Sequence, residues 1–279
     1  MKNILVPTDF SKNASNAYKY AIKLAEFFKS RITLLHVYET PVLYTSMPMA
    51  TQLDYGVIVQ AANDRMKKFF AKHAKESSKV GVELMLQQGL PSARITETAL
   101  EKKSDLIVVG RTGTSAVERF FIGSNTSRVI NNAPCPVLAI PPNFKYNGMK
   151  KIVFATDLTA DNLSYAKQIV TFASLFKSDL IFLYVDSKMK VMDDGFLEGM
   201  TRKIRQHVKY SKISGYVSTD VNVSKGINFF LKKYKADCLV MLTHHRKFYQ
   251  VLWNRSITSA EAFHTSIPLL ALPAKDELF

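Results

Sequence analysis

Cysteine is scarce, with two in 279 residues, so no disulfide framework can carry the fold and packing has to hold the core. Cys135 and Cys238 each sit in an apolar, strand-like stretch, where a free thiol behaves as a small buried hydrophobe. No apolar run approaches the ~20 residues that a membrane span requires. The opening MKNILVPTDF reaches Asp9 before the apolar core of a signal peptide can form, so no membrane span and a cytoplasmic location are expected. A KDEL stretch at 275–278 is followed by Phe279, and a receptor-read retention signal has to be terminal. Gly-Lys-Ser/Thr is missing, which excludes a Walker P-loop, and the glycine spacing is wrong for a dinucleotide fold.

Acidic residues are also in short supply, 23 against 38 Lys and Arg, leaving a formal charge of +15. That excess suits anionic ligands in general. It is spread evenly, 19 basic to 11 acidic residues in 1–148 and 19 to 12 in the remainder, with no basic arm. The densest cluster, Lys67, Lys68, Lys72, Lys75 and Lys79, falls at helical spacing and reads as a solvated helix face. Without a reading helix or an aromatic platform, nucleic acid is not expected as a partner.

What is present is a repeat. Residues 3–39 align with 151–187 at an offset of 148, which places Asp9 on Asp157 and Lys29 on Lys177. SDLIVVG from Ser104 matches ADCLVML from Ala236, and PCPVLAIP from Pro134 matches SIPLLALP from Ser266, both at an offset of 132. The second copy is therefore shorter in its middle.

Each copy alternates short β-branched runs with amphipathic stretches, the pattern of parallel strands joined by helices. In the first copy strands are expected near 3–7, 31–38, 82–87, 105–109 and 136–140. The first helix should start after TDFS, capped by Ser11 or Asn13, with Ala17, Ala21, Leu24 and Phe28 as its buried stripe. A further helical run, about 57–79, follows a Met- and Tyr-containing loop at 42–56 whose role the residues do not settle. Pro141, Pro142, Asn143 and Gly148 mark the link between copies, which sets the expected domains at 1–143 and 149–275.

The stretch VVGRTGTSAVERFFIGSNTSRVI, 108–130, puts Gly110 at the end of the fourth strand, Gly113 in a loop, and Gly123 with Ser124 at the next helix start. Glycine there lets backbone approach a ligand, and the free N–H groups of a helix N-terminus attract phosphate. Ser124 and Thr126 add hydroxyl donors. The bland alternative is that the glycines serve only turns and a C-cap. In an open parallel sheet, ligands sit beyond the carboxyl ends of the strands where the strand order reverses. If strands 1 and 4 meet at that reversal, Pro7, Thr8 and Asp9 face the glycine loop. Asp9 then suits ribose hydroxyls, because a carboxylate accepts two hydrogen bonds and is poorly placed against phosphate; its alternative role is to cap the first helix.

These residues resemble the universal stress protein family, in tandem, over almost the whole chain. The resemblance rests on NILVPTDFS at 3–11, LLHV at 34–37, and Gly-x2-Gly-x9-Gly-Ser formed by Gly110, Gly113, Gly123 and Ser124 after DLIVV. It implies an α/β architecture: two open, twisted, five-stranded parallel-sheet domains in strand order 3-2-1-4-5, Rossmann-like, paired through their last strands as a pseudo-dimer. It further implies ATP, with Mg2+ left open, at the switch between strands 1 and 4. Val37 and Val109 would border adenine, Asp9 the ribose, and Gly113, Gly123, Ser124, Asn125 and Thr126 the phosphates. The related ATP pyrophosphatases place a Ser-Gly-Gly-x-Asp-Ser loop after strand 1, where this chain has PTDFS. Glu118 is the only carboxylate of the glycine segment and Arg119 its charge partner for phosphate, so a regulatory or stress-response binding protein is expected in preference to an enzyme. Slow hydrolysis, self-phosphorylation at Ser124 or Thr126, and an interaction protein without nucleotide stay open as alternatives.

Copy two departs from the pattern. Thr156 and Asp157 remain, but Leu242, His245 and Arg255 replace Gly110, Gly113 and Gly123, and only Ser256 survives at the helix start. Leu242 and His245 are expected to occupy the space the glycines leave open, so copy two should not hold ATP in the same way. His244, His245 and Arg246 lack a third ligand at metal spacing and read as a loop. Trp253 corresponds to Phe121 and reads as packing.

Overall fold

A computed structural model describes residues 1–39, 55–111, 124–156, 161–187, 194–243 and 265–273. In the first half, β1 (Asn3–Pro7), α1 (Lys12–Phe28), β2 (Arg31–Tyr38), α2 (Tyr55–Lys72), α3 (Ala74–Ser77), β3 (Val82–Gln88), α4 (Pro91–Glu101), β4 (Leu106–Gly110), α5 (Ser124–Asn132) and β5 (Val137–Ile140) follow one another. The second half runs β6 (Lys151–Thr156), α6 (Asp161–Leu175), β7 (Asp179–Asp186), α7 (Asp194–Val208), β8 (Ile213–Thr219), α8 (Val223–Lys233), β9 (Cys238–Leu242) and β10 (Leu269–Leu272). The strands form one sheet in the order β3-β2-β1-β4-β5-β10-β9-β6-β7-β8. Each half therefore has the expected order 3-2-1-4-5, parallel throughout.

The halves meet where β5 and β10 pair antiparallel. Leu138 faces Leu270, which is its own counterpart at the offset of 132, and Ala139 with Leu269 and Val137 with Ala271 complete the register. A pseudo-two-fold axis therefore passes between Leu138 and Leu270, the self-complementary arrangement of an isologous interface. The helices repeat it. Phe28 of α1 meets Phe176, just past the end of α6 and its counterpart at the offset of 148, edge-on at 5.1 Å, while Phe27 stacks on Phe176 at 5.6 Å and 7°.

Alternation along the strands divides the core into two layers. Ile4, Val6, Leu34, Val108 and Leu242 join α1, α2, α6 and α7 on one face, and Leu5, Leu35, Ile107 and Val109 join α4, α5 and α8 on the other. Cys135 and Cys238 are buried free thiols, and burial pushes Cys238 up to about 12, so both serve as packing groups. Strand starts are fixed the same way twice: Asp105 accepts from the Lys2 and Asn3 N–H groups at 2.5 and 2.9 Å, and Asp237 from Lys150 and Lys151 at 2.9 and 2.8 Å.

Ser11 caps α1, accepting from the Ala14 N–H, and Ala17, Ala21 and Leu24 are buried with Phe28 packed beside them. Lys29 ends the helix in the left-handed region. The single helix expected at 57–79 is instead α2 and α3, separated at His73, which leaves helical geometry (φ −112°, ψ 10°). Its buried ring has Nε2 2.8 Å from Ser15 Oγ and packs edge-on to Tyr18 and Phe69, so side-chain docking onto α1 sets the break. The lysines of this region are exposed, as the helical spacing implied. Most of the 42–56 loop lies outside the described residues.

If the axis contact between Phe28 and Phe176 joins the halves, a double-mutant cycle of Phe28→Ala and Phe176→Ala in urea unfolding should return a coupling of about 1 kcal/mol.

Candidate nucleotide site

The first-half strands converge on a cavity of about 190 Å³ beyond the carboxyl ends of β1, β2 and β4. The expected residues Pro7, Thr8, Asp9, Val37, Val109 and Gly110 line it, as do Asn125 and Thr126 from the first turn of α5. Ser124 opens α5 and is exposed, without lining the cavity. Gly113, Gly123, Glu118 and Arg119 lie outside the described residues, as do Asp157, His244, His245, Arg246, Trp253, Arg255 and Ser256. Sequence reasoning missed Ser11, Asn13, Ala14, Leu35, His36 and Val129 and, from the α4 side, Pro91 and Ile95. The last two could have been found by placing the α4 stripe opposite Val37.

β1 and β4 are neighbours, so the reversal of strand order falls at this cavity. The β1–α1 turn is tightly bonded. Thr8 N–H donates to Leu35 O at 2.8 Å, Phe10 N–H to Thr8 Oγ1 at 3.0 Å, and Ser11 N–H to Asp9 Oδ1 at 2.9 Å. Ser11 being the cap, Asp9 does not cap α1; it orders the turn through Oδ1 and lines the cavity. Thr8 is buried and Asp9 exposed.

Gly110 has a physical reason beside the one its position suggested. A Cβ built there would stand 2.6 Å from Asn13 O and 3.0 Å from Ala14 N, so glycine is needed for the first turn of α1 to lie against the end of β4. That approach brings Asn13 and Ala14 to the cavity wall. In the second half, Leu242 belongs to the core layer on the α1 and α6 face, the layer into which a side chain at Gly110 would point. Leu242 therefore enters the layer that Gly110 leaves to the first turn of α1, and His245 lies outside the described residues.

His36 Nδ1 lies 2.8 Å from Thr8 O. A carbonyl only accepts, so Nδ1 carries the proton. Burial pushes the His36 ring below the usual imidazole range, and the nearby Arg65 adds to this, against the opposing pull of the Thr8 carbonyl and Asp9. Burial lowers His73 likewise, with Lys19 and Lys72 adding to it and Glu76 opposing it. Arg111 follows Gly110 almost fully buried; its Nη1 donates to Thr265 O at 2.7 Å and burial brings it to about 10. Among the described residues no group of three or more His, Cys, Asp or Glu could hold a metal ion.

The sequence model of the universal stress protein family matches residues 1–141. The chain belongs to that family. A universal stress protein of Methanocaldococcus jannaschii is 34% identical over 140 residues, covering 50% of this chain and 81% of the relative. One from Thermus aquaticus is 32% identical over 142 residues, covering 50% and 98%. The crystal structure of a universal stress protein from Archaeoglobus fulgidus covers 98% of both chains at a TM-score of 0.73 with 14% identity, a likeness of fold that extends through both halves. No helix among the described residues is long and apolar enough to cross a membrane.

Two outcomes follow from the site geometry. Gly110→Ala should lower the unfolding free energy by about 1–3 kcal/mol in urea melts, because the added methyl meets backbone that cannot move aside. His36 and His73 bind protons more weakly folded than unfolded, so between their folded pKa values and the ordinary 6.5 the unfolded chain holds more protons. Stability should therefore fall as pH drops below about 6.5, and a His36→Asn, His73→Gln double variant should show a shallower fall in melting temperature from pH 7 to pH 5.

Proposed function

We propose that the chain is a regulatory or stress-response protein that binds ATP through its first unit, residues 1–143, with the second unit, 149–275, as a degenerate tandem copy and structural partner. The observation that carries this reading is the cavity at the strand-order reversal, where Asp9, two valines and the start of α5 converge. The residues suit the ligand. Val37 and Val109 offer apolar walls for adenine, Asp9 a carboxylate for ribose hydroxyls, and Asn125 and Thr126 polar groups beside a helix N-terminus for phosphate. Gly113, Gly123 and Ser124 belong to the same proposal on the strength of their motif. Any Mg2+ would arrive with the phosphates, since the described cavity residues include one carboxylate, Asp9. Binding energy would act by changing which partner surface is stable, not by turning over substrate.

The second unit is read as silent for two reasons. His245 and Arg255 replace Gly113 and Gly123. In addition, Gly226 of α8 stands where α4 has Arg94 and lets α8 close on Val185, the counterpart of Val37: a Cβ at Gly226 would stand 2.7 Å from Val185 Cγ1. Helix and strand are thus in close contact at Val185, the counterpart of the cavity-lining Val37.

The test is nucleotide content of freshly purified protein, by heat release and chromatography, beside calorimetric titration of stripped protein with ATP. One ATP per chain is expected. A Gly113→His, Gly123→Arg variant should lose it while remaining folded, and Asp9→Ala should weaken ATP by roughly 10- to 100-fold, the range for a hydrogen bond to a charged group. A wild type that carries no nucleotide and whose melting temperature ATP does not raise overturns the reading.

A further inference from the structure

LLHV marks the family resemblance, and its histidine lines the cavity. Its Nδ1 is spent on the chain itself. β1 ends at Pro7, and the chain then turns through Thr8, Asp9 and Phe10 into α1. Thr8 N–H still donates to β2 at Leu35 O, while Thr8 O, one atom group further along, takes its bond from a side chain, His36 Nδ1, at 2.8 Å. Phe10 is in the left-handed region at φ 65°, a conformation uncommon for a bulky residue that persists only where surroundings hold it. Those surroundings are the His36 ring at 4.2 Å, the Phe69 ring at 5.6 Å, and the Arg65 guanidinium at 4.9 Å from the Phe10 centroid.

Asp9 is the residue between these two anchors. Its preceding carbonyl is tied to His36 Nδ1 and the ring of the following Phe10 packs against the same imidazole at a tilt of 39°, so both flanking residues are held from one ring. With Oδ1 engaged by the Ser11 N–H, the carboxylate has little rotational freedom left. We propose that His36 is a positioning residue for the nucleotide cavity, holding the Asp9 carboxylate in the orientation that recognises a ribose. This rests on the reading that Asp9 meets ribose hydroxyls. His36 acts through Asp9, and the pairing explains why a histidine, with a ring to pack against Phe10 and an Nδ1–H to donate, stands at this point of β2. An aromatic carbocycle would supply only the first and an amide only the second.

The experiment compares ATP with 2′,3′-dideoxy-ATP, which lacks the hydroxyls, by calorimetric titration of wild type, His36→Ala, His36→Asn, His36→Gln, Asp9→Ala and the Asp9→Ala, His36→Ala pair. Wild type should prefer ATP over the dideoxy form. His36→Ala should weaken ATP about tenfold and the dideoxy form less than about twofold, the loss being one charge-assisted contact. His36→Asn, whose amide nitrogen replaces the Nδ1 donor, should stay within about threefold of wild type. His36→Gln, whose donor lies one bond too far, should resemble Ala and serves in its place if Ala does not fold. On an Asp9→Ala background the His36 change should have no further effect. Equal losses for the two nucleotides, or a full His36 effect in the absence of the Asp9 carboxylate, would show that His36 only supports the fold and overturn the inference while ATP binding stands. Wild type that binds neither nucleotide, or binds both equally, overturns the reading of Asp9 itself and the inference with it.

Discussion

The antiparallel pairing of Leu138 with Leu270 is the constraint on which the molecule is organised. A parallel α/β sheet leaves its last strand at an edge with unpaired N–H and C=O groups, and such an edge invites pairing. Here the second half covers it with its own last strand, in a register symmetric about two equivalent leucines. Once that register is set, each half must lie in the other's rotated frame, which brings Phe28 to Phe176. Ten strands become one sheet, with β3 and β8 as its outer strands.

Symmetry of scaffold does not extend to the cavity ends. In the first half, Gly110 admits the first turn of α1 to the end of β4, and the cavity lies between that turn, β2 and α4. In the second half a leucine fills the core at the matching strand end, and the glycine has moved to α8, at Gly226, where it draws helix and strand together. The same device, a missing Cβ that permits close backbone approach, is used at different corners of the two halves. One use frames a cavity and the other sets α8 against β7. Arg111 links the two, since it leaves the cavity wall at Gly110 and ends on the carbonyl of Thr265 in the second half.

Much of the fold was legible because its signals are local and periodic. Short β-branched runs and amphipathic stretches located the strands within a residue or two, and the offsets of 148 and 132 recur in structure at Lys29 and Lys177, and at Lys103 and Lys235, all four left-handed at helix ends. The helix break at His73 was not legible, because it depends on the docking of that ring against Ser15, Tyr18 and Phe69.

The sequence by itself determined the alternation of strands and helices, the repeat, the family, and the candidate residues Asp9, Val37, Val109, Asn125 and Thr126, since each depends on residue type and spacing along the chain. Tertiary structure decided which layer a side chain at position 110 or 242 would enter, that Ser11 and not Asp9 caps α1, and that His36 grips the turn beside Asp9. Those outcomes depend on contacts between segments that are distant in sequence or on the facing of alternate strand positions, and only the assembled sheet brings them into register.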